Sequence, residues 1–94
     1  MFILHVDMLV TSGKEAELAE TFRSAFRPAI SIQSGFRGVH LLQPLEEGRA
    51  HRLSIAFDCR ESQQRWVSTK LHQEVWPQME SKADRCTVDL YLEL

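Results

Sequence analysis

The chain of 94 residues carries 11 lysines and arginines against 13 acidic residues, a net charge of −2. That length suits one domain, residues 1–94, with a core of modest size. Charges of both signs are interspersed without a basic stripe, which speaks against nucleic acid, and no apolar run approaches the ~20 residues of a membrane helix.

The opening MFILHVDMLV lacks a charged leader and a small-residue cleavage site, so it reads as a strand, and the expected location is cytoplasmic. In the strand at 2–11, Phe2, Leu4, Val6, Met8 and Val10 make an apolar face, and Ile3, His5, Asp7, Leu9 and Thr11 a mixed one. Ser12-Gly13-Lys14-Glu15 reads as a turn and capping box with Ser12 as N-cap. The helix that follows puts Leu18, Ala19, Phe22, Ala25, Phe26 and Ile30 on one stripe. Pro28 should kink or divide it, and Ser34-Gly35 should end the segment.

Alternation returns at 36–44, with Val39 and Leu41 opposed to His40 and Leu42. Glu46-Glu47-Gly48 reads as a hairpin connection into a strand at 51–58, where Leu53, Ile55 and Phe57 share a face. The period then changes. Asp58 with Glu61 three residues later predicts a second capped helix carrying Trp66, Val67 and Leu71. A break is expected at Trp76-Pro77, because the residue before proline is pushed out of the helical region. A short helical piece at 78–83 and a strand at 86–94 complete the chain.

The order β-α-β-β-α-β predicts a ferredoxin-like α+β fold, an antiparallel sheet in order 4-1-3-2 with both helices on one face. The helices should then cover Leu4, Val6, Met8, Leu53, Ile55, Phe57, Val88, Leu90 and Leu92. The other face carries Ile3, His5, Asp7, Leu9, His40, Leu42, Arg52, Ser54, Thr87, Asp89 and Tyr91, too apolar for a solvated face and too charged for a dry core. A second copy of the sheet packed across a two-fold axis answers both problems, so a homodimer is expected. His5, Asp7 and His40 are ordinary metal-ligand types, but their spacing specifies no complete ligand set and the interface accounts for them, so no metal is expected. Cys59 and Cys86 fall at one end of the sheet with a strand between them. Two spacings of ~4.8 Å exceed the ~7 Å Cα limit for a disulfide, so both should be free thiols.

The strand–turn–helix FDCRESQQRW, the strand entry SGFRGVHLL and the element order resemble the antibiotic biosynthesis monooxygenase (ABM) superfamily of dimeric α+β barrels, over nearly the whole chain. The resemblance implies a homodimer with a small-molecule pocket in each subunit, between helices and sheet. The haem-degrading branch of that superfamily carries an Asn on strand one, a Trp on helix two and an iron-ligating His ten residues later. The matching positions here are Val6, Trp66 and Trp76, so only the Trp is kept and haem oxygenation is not expected; His72, one turn earlier, is the only nearby substitute for the iron ligand. The oxygenase branch implies an apolar pocket for a phenol or quinol and a base for its proton, with no metal, flavin or other cofactor. Trp66, Trp76, Phe57, Met8 and Val6 would wall that pocket. His72 would be the base and Arg85 would steady an oxyanion. The competing expectation is a non-catalytic dimeric small-molecule-binding or stress-associated protein of the same fold.

Overall fold

Alternation of apolar and polar residues builds four strands: β1 (Phe2–Val10), β2 (Phe36–Leu42), β3 (His51–Phe57) and β4 (Ala83–Leu92). The computed structural model describes residues 1–94, and in it the strands form one antiparallel sheet in the order β2-β3-β1-β4, the order expected. Register sets Val6 beside Leu53 and Val88, and Met8 beside His51 and Cys86, all on the side of the sheet that carries the helices. Ile3, His5, Asp7, Ser54, Asp89 and Tyr91 share the opposite, open face.

Between β1 and β2 the helices α1 (Glu15–Thr21) and α2 (Arg27–Ser31) are joined by a π-helical turn (Phe22–Phe26). The buried stripe Leu18, Phe22, Phe26, Ala29 and Ile30 runs through all three pieces. Pro28 divides the rod as expected, and the division is this π turn. The Arg27 N–H reaches back five residues to the Phe22 carbonyl, and Pro28 sits at the start of α2, where no helical N–H is required. The first cap differs from expectation. A turn through Gly13 (φ +87) uses up residues 11–14, so Lys14 occupies the N-cap instead of Ser12 and offers no side-chain bond.

The second helical region differs more. It divides into α3 (Arg60–Val67) and α4 (Lys70–Glu80), with the break at Ser68-Thr69 and the helix unbroken through Pro77. Thr69 is extended (ψ 151) and its hydroxyl caps α4, a stronger local instruction than the proline that follows within the helix. Pro77 and Gln73, whose carbonyl loses its donor, are both exposed, so water can satisfy that carbonyl. Cys59, not Asp58, is the N-cap of α3. Hydrogen bonds from Ser62 and then Cys59 hold the Asp58 carboxyl below the usual range. The helical piece expected at 78–83 is the end of α4 plus a turn, so β4 starts at Ala83.

That early start corrects a burial expectation. The chain turns from α4 directly into β4, so only Ala83 and Cys86 reach the core. Val88, Leu90 and Leu92 lie beyond the helices at 57%, 47% and 71% exposure, bare on the side they were expected to bury.

Candidate functional site

The spacing of α4 turns Leu71, His72, Val75, Trp76 and Met79 towards the core, the i, i+4 pairs standing one above the other. His72 and Trp76 are therefore neighbours on one face. Trp66, from the last turn of α3, is 2% exposed. Its ring meets His72 edge-to-face, with centroids 5.0 Å apart and planes at 85°. Phe26 fills the space between the tryptophans, with its centroid 6.0 Å from Trp66 and 6.2 Å from Trp76, edge-on to both. The structure thus brings His72, Trp66 and Trp76 together around a ring that sequence reasoning placed on a core stripe without assigning it to the site.

Burial lowers the His72 pKa from its ordinary value of 6.5, with no charged neighbour contributing. The imidazole is therefore neutral at physiological pH and keeps one ring nitrogen as an acceptor. Its Nδ1 is buried without a hydrogen-bond partner in the protein. A neutral imidazole among aromatic rings, with an uncommitted polar atom, suits proton transfer from a weakly acidic aromatic better than it suits a structural network.

Thr69, which sequence reasoning also missed, ties the two helices. Its hydroxyl donates to the Trp66 carbonyl (2.7 Å) and accepts the His72 N–H (3.1 Å). The available signal was a threonine three residues before the histidine, the spacing at which a capping oxygen meets a free N–H.

The other expected residues separate. Phe57 and Met8 are fully buried and Val6 nearly so, within the same core cluster as Trp66. Arg85 pairs in register with Leu9, which puts it on the open face, across the sheet from His72. The structure does not bring Arg85 and His72 together. On the open face Arg52 clasps Asp7 through two hydrogen bonds of 2.8 and 3.2 Å, holding the Asp7 carboxyl below its usual range. His5 lies 5.1 Å from the Tyr91 ring. No three His, Cys, Asp or Glu side chains gather as metal ligands, and His40 is exposed. A cleft of about 700 Å³ lies elsewhere, between the loop after β1 and the β2–β3 hairpin, with Glu15, Glu46, Glu47 and Arg49 on its rim. Its polar lining is poorly matched to an aromatic ring.

The family model for antibiotic biosynthesis monooxygenase matches residues 1–77. No curated protein matches the chain in sequence. Among solved structures, a Nitrosomonas europaea protein provisionally named an antibiotic biosynthesis monooxygenase superposes with a TM-score of 0.84 at 17% identity, over 100% of this chain and 99% of its own. SnoaB, a cofactor-independent oxygenase from Streptomyces nogalater, gives 0.83 at 13% identity, over 99% and 93% of the two chains. A mutant of MhuD with two manganese protoporphyrin IX molecules per active site gives 0.84 at 17%, over 100% and 95%. At these identities the likeness establishes the fold.

Proposed function

Because the chain belongs to the antibiotic biosynthesis monooxygenase family, we propose that it is a cofactor-independent monooxygenase of a small phenol- or quinol-type aromatic, acting as a cytoplasmic homodimer. One observation carries this reading above the others: a half-buried, neutral His72 lies edge-on to Trp66 with Nδ1 unpartnered. The structural likeness to a cofactor-independent oxygenase points the same way. Two free cysteines fit a reducing compartment.

The substrate ring takes the place of Phe26 between Trp66 and Trp76, with Phe57, Met8 and Val6 as the floor. Phe26 sits at the end of the π turn, and π turns often mark functional sites because their backbone is less tightly committed than an α-helix. Displacing one ring then opens the pocket without unfolding the rod. His72 accepts the phenolic or enolic proton, and the resulting anion, with electron density on carbon, transfers an electron to O₂. A carbon–oxygen bond forms, and loss of water from the hydroperoxide leaves a carbonyl. For an anthrone the sum is anthrone plus O₂ giving anthraquinone plus water. All four electrons come from the substrate, so the chemistry requires no further reductant. Arg85, on the far face, has no part in the proton transfer.

Haem does not fit this site. Val6 is a buried aliphatic and Trp76 offers no ligand at the position where the haem-degrading branch carries its imidazole. The competing reading is a non-catalytic dimeric small-molecule-binding or stress-associated protein of the same fold, and Phe26 packed against both tryptophans speaks for a scaffold that has lost the chemistry. Oxygen uptake with a panel of quinols and anthrones decides between the two. Turnover that falls by ~10²–10⁴-fold in His72→Gln supports catalysis. No uptake with any substrate leaves only binding, and full activity in the variant removes His72 as the base.

A further inference from the structure

The break between α3 and α4 leaves two backbone groups that a continuous helix would have paired differently: the Trp66 carbonyl and the His72 N–H. One atom takes both. The Thr69 hydroxyl donates its proton to the first at 2.7 Å and offers a lone pair to the second at 3.1 Å. The Thr69 N–H also reaches the Trp66 carbonyl, at 3.1 Å, so that carbonyl is held twice from the same residue. Gln73 adds a bond from its side-chain amide to the Val67 carbonyl at 3.0 Å, across the same break. The relative placement of the last turn of α3 and the first turn of α4 is therefore fixed by three hydrogen bonds of residue 69, with the Gln73 side chain as a separate tie.

Those two turns carry the Trp66 and His72 rings, 5.0 Å apart at 85°. We propose that Thr69 is the positioning residue of this pair, its hydroxyl setting the distance and angle at which the imidazole meets the indole. An ordinary N-cap needs only an acceptor for the N–H of the third residue on. Thr69 does more, because the same oxygen must also donate to residue 66. That second bond has no role in capping α4, and together with the Thr69 N–H it ties the cap to the backbone of Trp66. Loss of it lets the first turn of α4 swing while the helix itself stays capped, and the imidazole then moves towards water.

The proposal rests on His72 being the base, but its test does not depend on activity. Thr69→Ser keeps a hydroxyl that serves both groups. Thr69→Asn keeps a neutral cap of at least equal strength, so the helix survives, but its accepting oxygen carries no proton and its amide N–H groups leave from a separate atom, so the bonds to residues 66 and 72 no longer share one oxygen. The His72 imidazole is followed by NMR across pH, its signal identified by its loss in His72→Gln. In the wild type and Thr69→Ser it titrates below the ordinary value. In Thr69→Asn the midpoint returns towards that value while thermal stability is unchanged. Oxygen uptake falls by about 10²-fold in Thr69→Asn, the scale of a misplaced catalytic group, and is retained in Thr69→Ser. Identical His72 titrations in all three proteins would reduce Thr69 to a simple cap and overturn the proposal. A wild type without oxygen uptake whose titration still shifts in Thr69→Asn would instead refute the oxygenase reading and leave the positioning role standing.

Discussion

Gly35 is confined to glycine by two independent constraints. Its φ of +83 lies where side chains are strained, and an added Cβ would overlap both the Asp58 carboxylate and the Ser62 hydroxyl. Its carbonyl also accepts the Asp58 N–H at 2.8 Å, so the chain cannot simply back away. Gly35→Ala is expected to cost on the order of 1–3 kcal/mol from the backbone strain alone, read from urea unfolding, with additional loss if Ser62 is pushed out. Two titrating side chains act on stability in separate pH windows. His72 has a lowered pKa in the folded protein, so above 6.5 neither folded nor unfolded state holds its proton and nothing is lost. As pH falls through 6.5 the unfolded chain binds the proton first, and stability declines until the folded imidazole also titrates. Asp7 is lowered by Arg52 from 3.8, so its contribution is intact above 3.8 and disappears as pH falls through the lower folded value. His72→Gln should therefore flatten the stability curve just below pH 6.5 and leave the more acidic limb unchanged. Denaturant melts across pH check this, and an unchanged slope in the upper window would mean that His72 is not buried neutral.

At the scale of elements, the competition at the second helical region can be measured. Pro77 lies inside α4 and Thr69 caps it, so the two residues pull helix stability in opposite directions. Pro77→Ala restores the bond to the Gln73 carbonyl and is expected to raise stability by on the order of 1–3 kcal/mol. A fall in Tm would mean that the proline ring contributes packing its exposed position does not suggest. The sequence made the strands, their faces and the sheet order legible because period-two alternation is a local signal and the crossover rule then leaves few topologies. Pro28 was legible as a dividing point, though not the π turn it produces. The break at Thr69 was not legible, since a proline is a conspicuous breaker while a threonine acts as one only when its hydroxyl finds the right N–H. The bare stripe of Val88, Leu90 and Leu92 was hidden for a different reason. Periodicity says which side of a strand is apolar, and only the path of α4 decides how much of that side is covered. The same limit applies to the site: His72, Trp66 and Trp76 were readable as an aromatic cluster on one region, whereas Phe26 joins it from a distant segment. Arg85 stood just before the strand expected from residue 86, and only the start of β4 at Ala83 brings it into the alternation that puts it with Thr87 on the open face.

For the whole molecule, the open sheet face sets the expected assembly. Asp7 and Arg52 form a two-bond ion pair there, and the surrounding residues are too apolar to favour water: Ile3, Leu9 and Leu42 stand with the tilted His5–Tyr91 contact. Leu42 and Tyr91 are 51% and 50% exposed in the single chain. The bare β4 stripe continues this surface around the sheet edge, where Phe2, Leu90 and Leu92 border a hollow of about 410 Å³. A second copy packed face to face across a two-fold axis would bury the apolar residues and take the ion pair out of solvent. In the single chain that pair is only partly covered, with the Arg52 side chain 45% exposed, and contributes little. In the dimer it would be desolvated, and removing one partner would strand the other. Arg52→Ala is therefore expected to weaken the dimer by stranding Asp7, with a dissociation constant higher by at least about 10²-fold, while changing the stability of the isolated subunit little. Tyr91→Arg should dissociate it as well, by placing a like charge against Arg52 and its symmetry mate. Sedimentation across a micromolar concentration range reads both variants directly. A wild-type protein that sediments as a monomer throughout that range would refute the assembly, and the mixed face of the sheet would then have to be stable in water as a single layer.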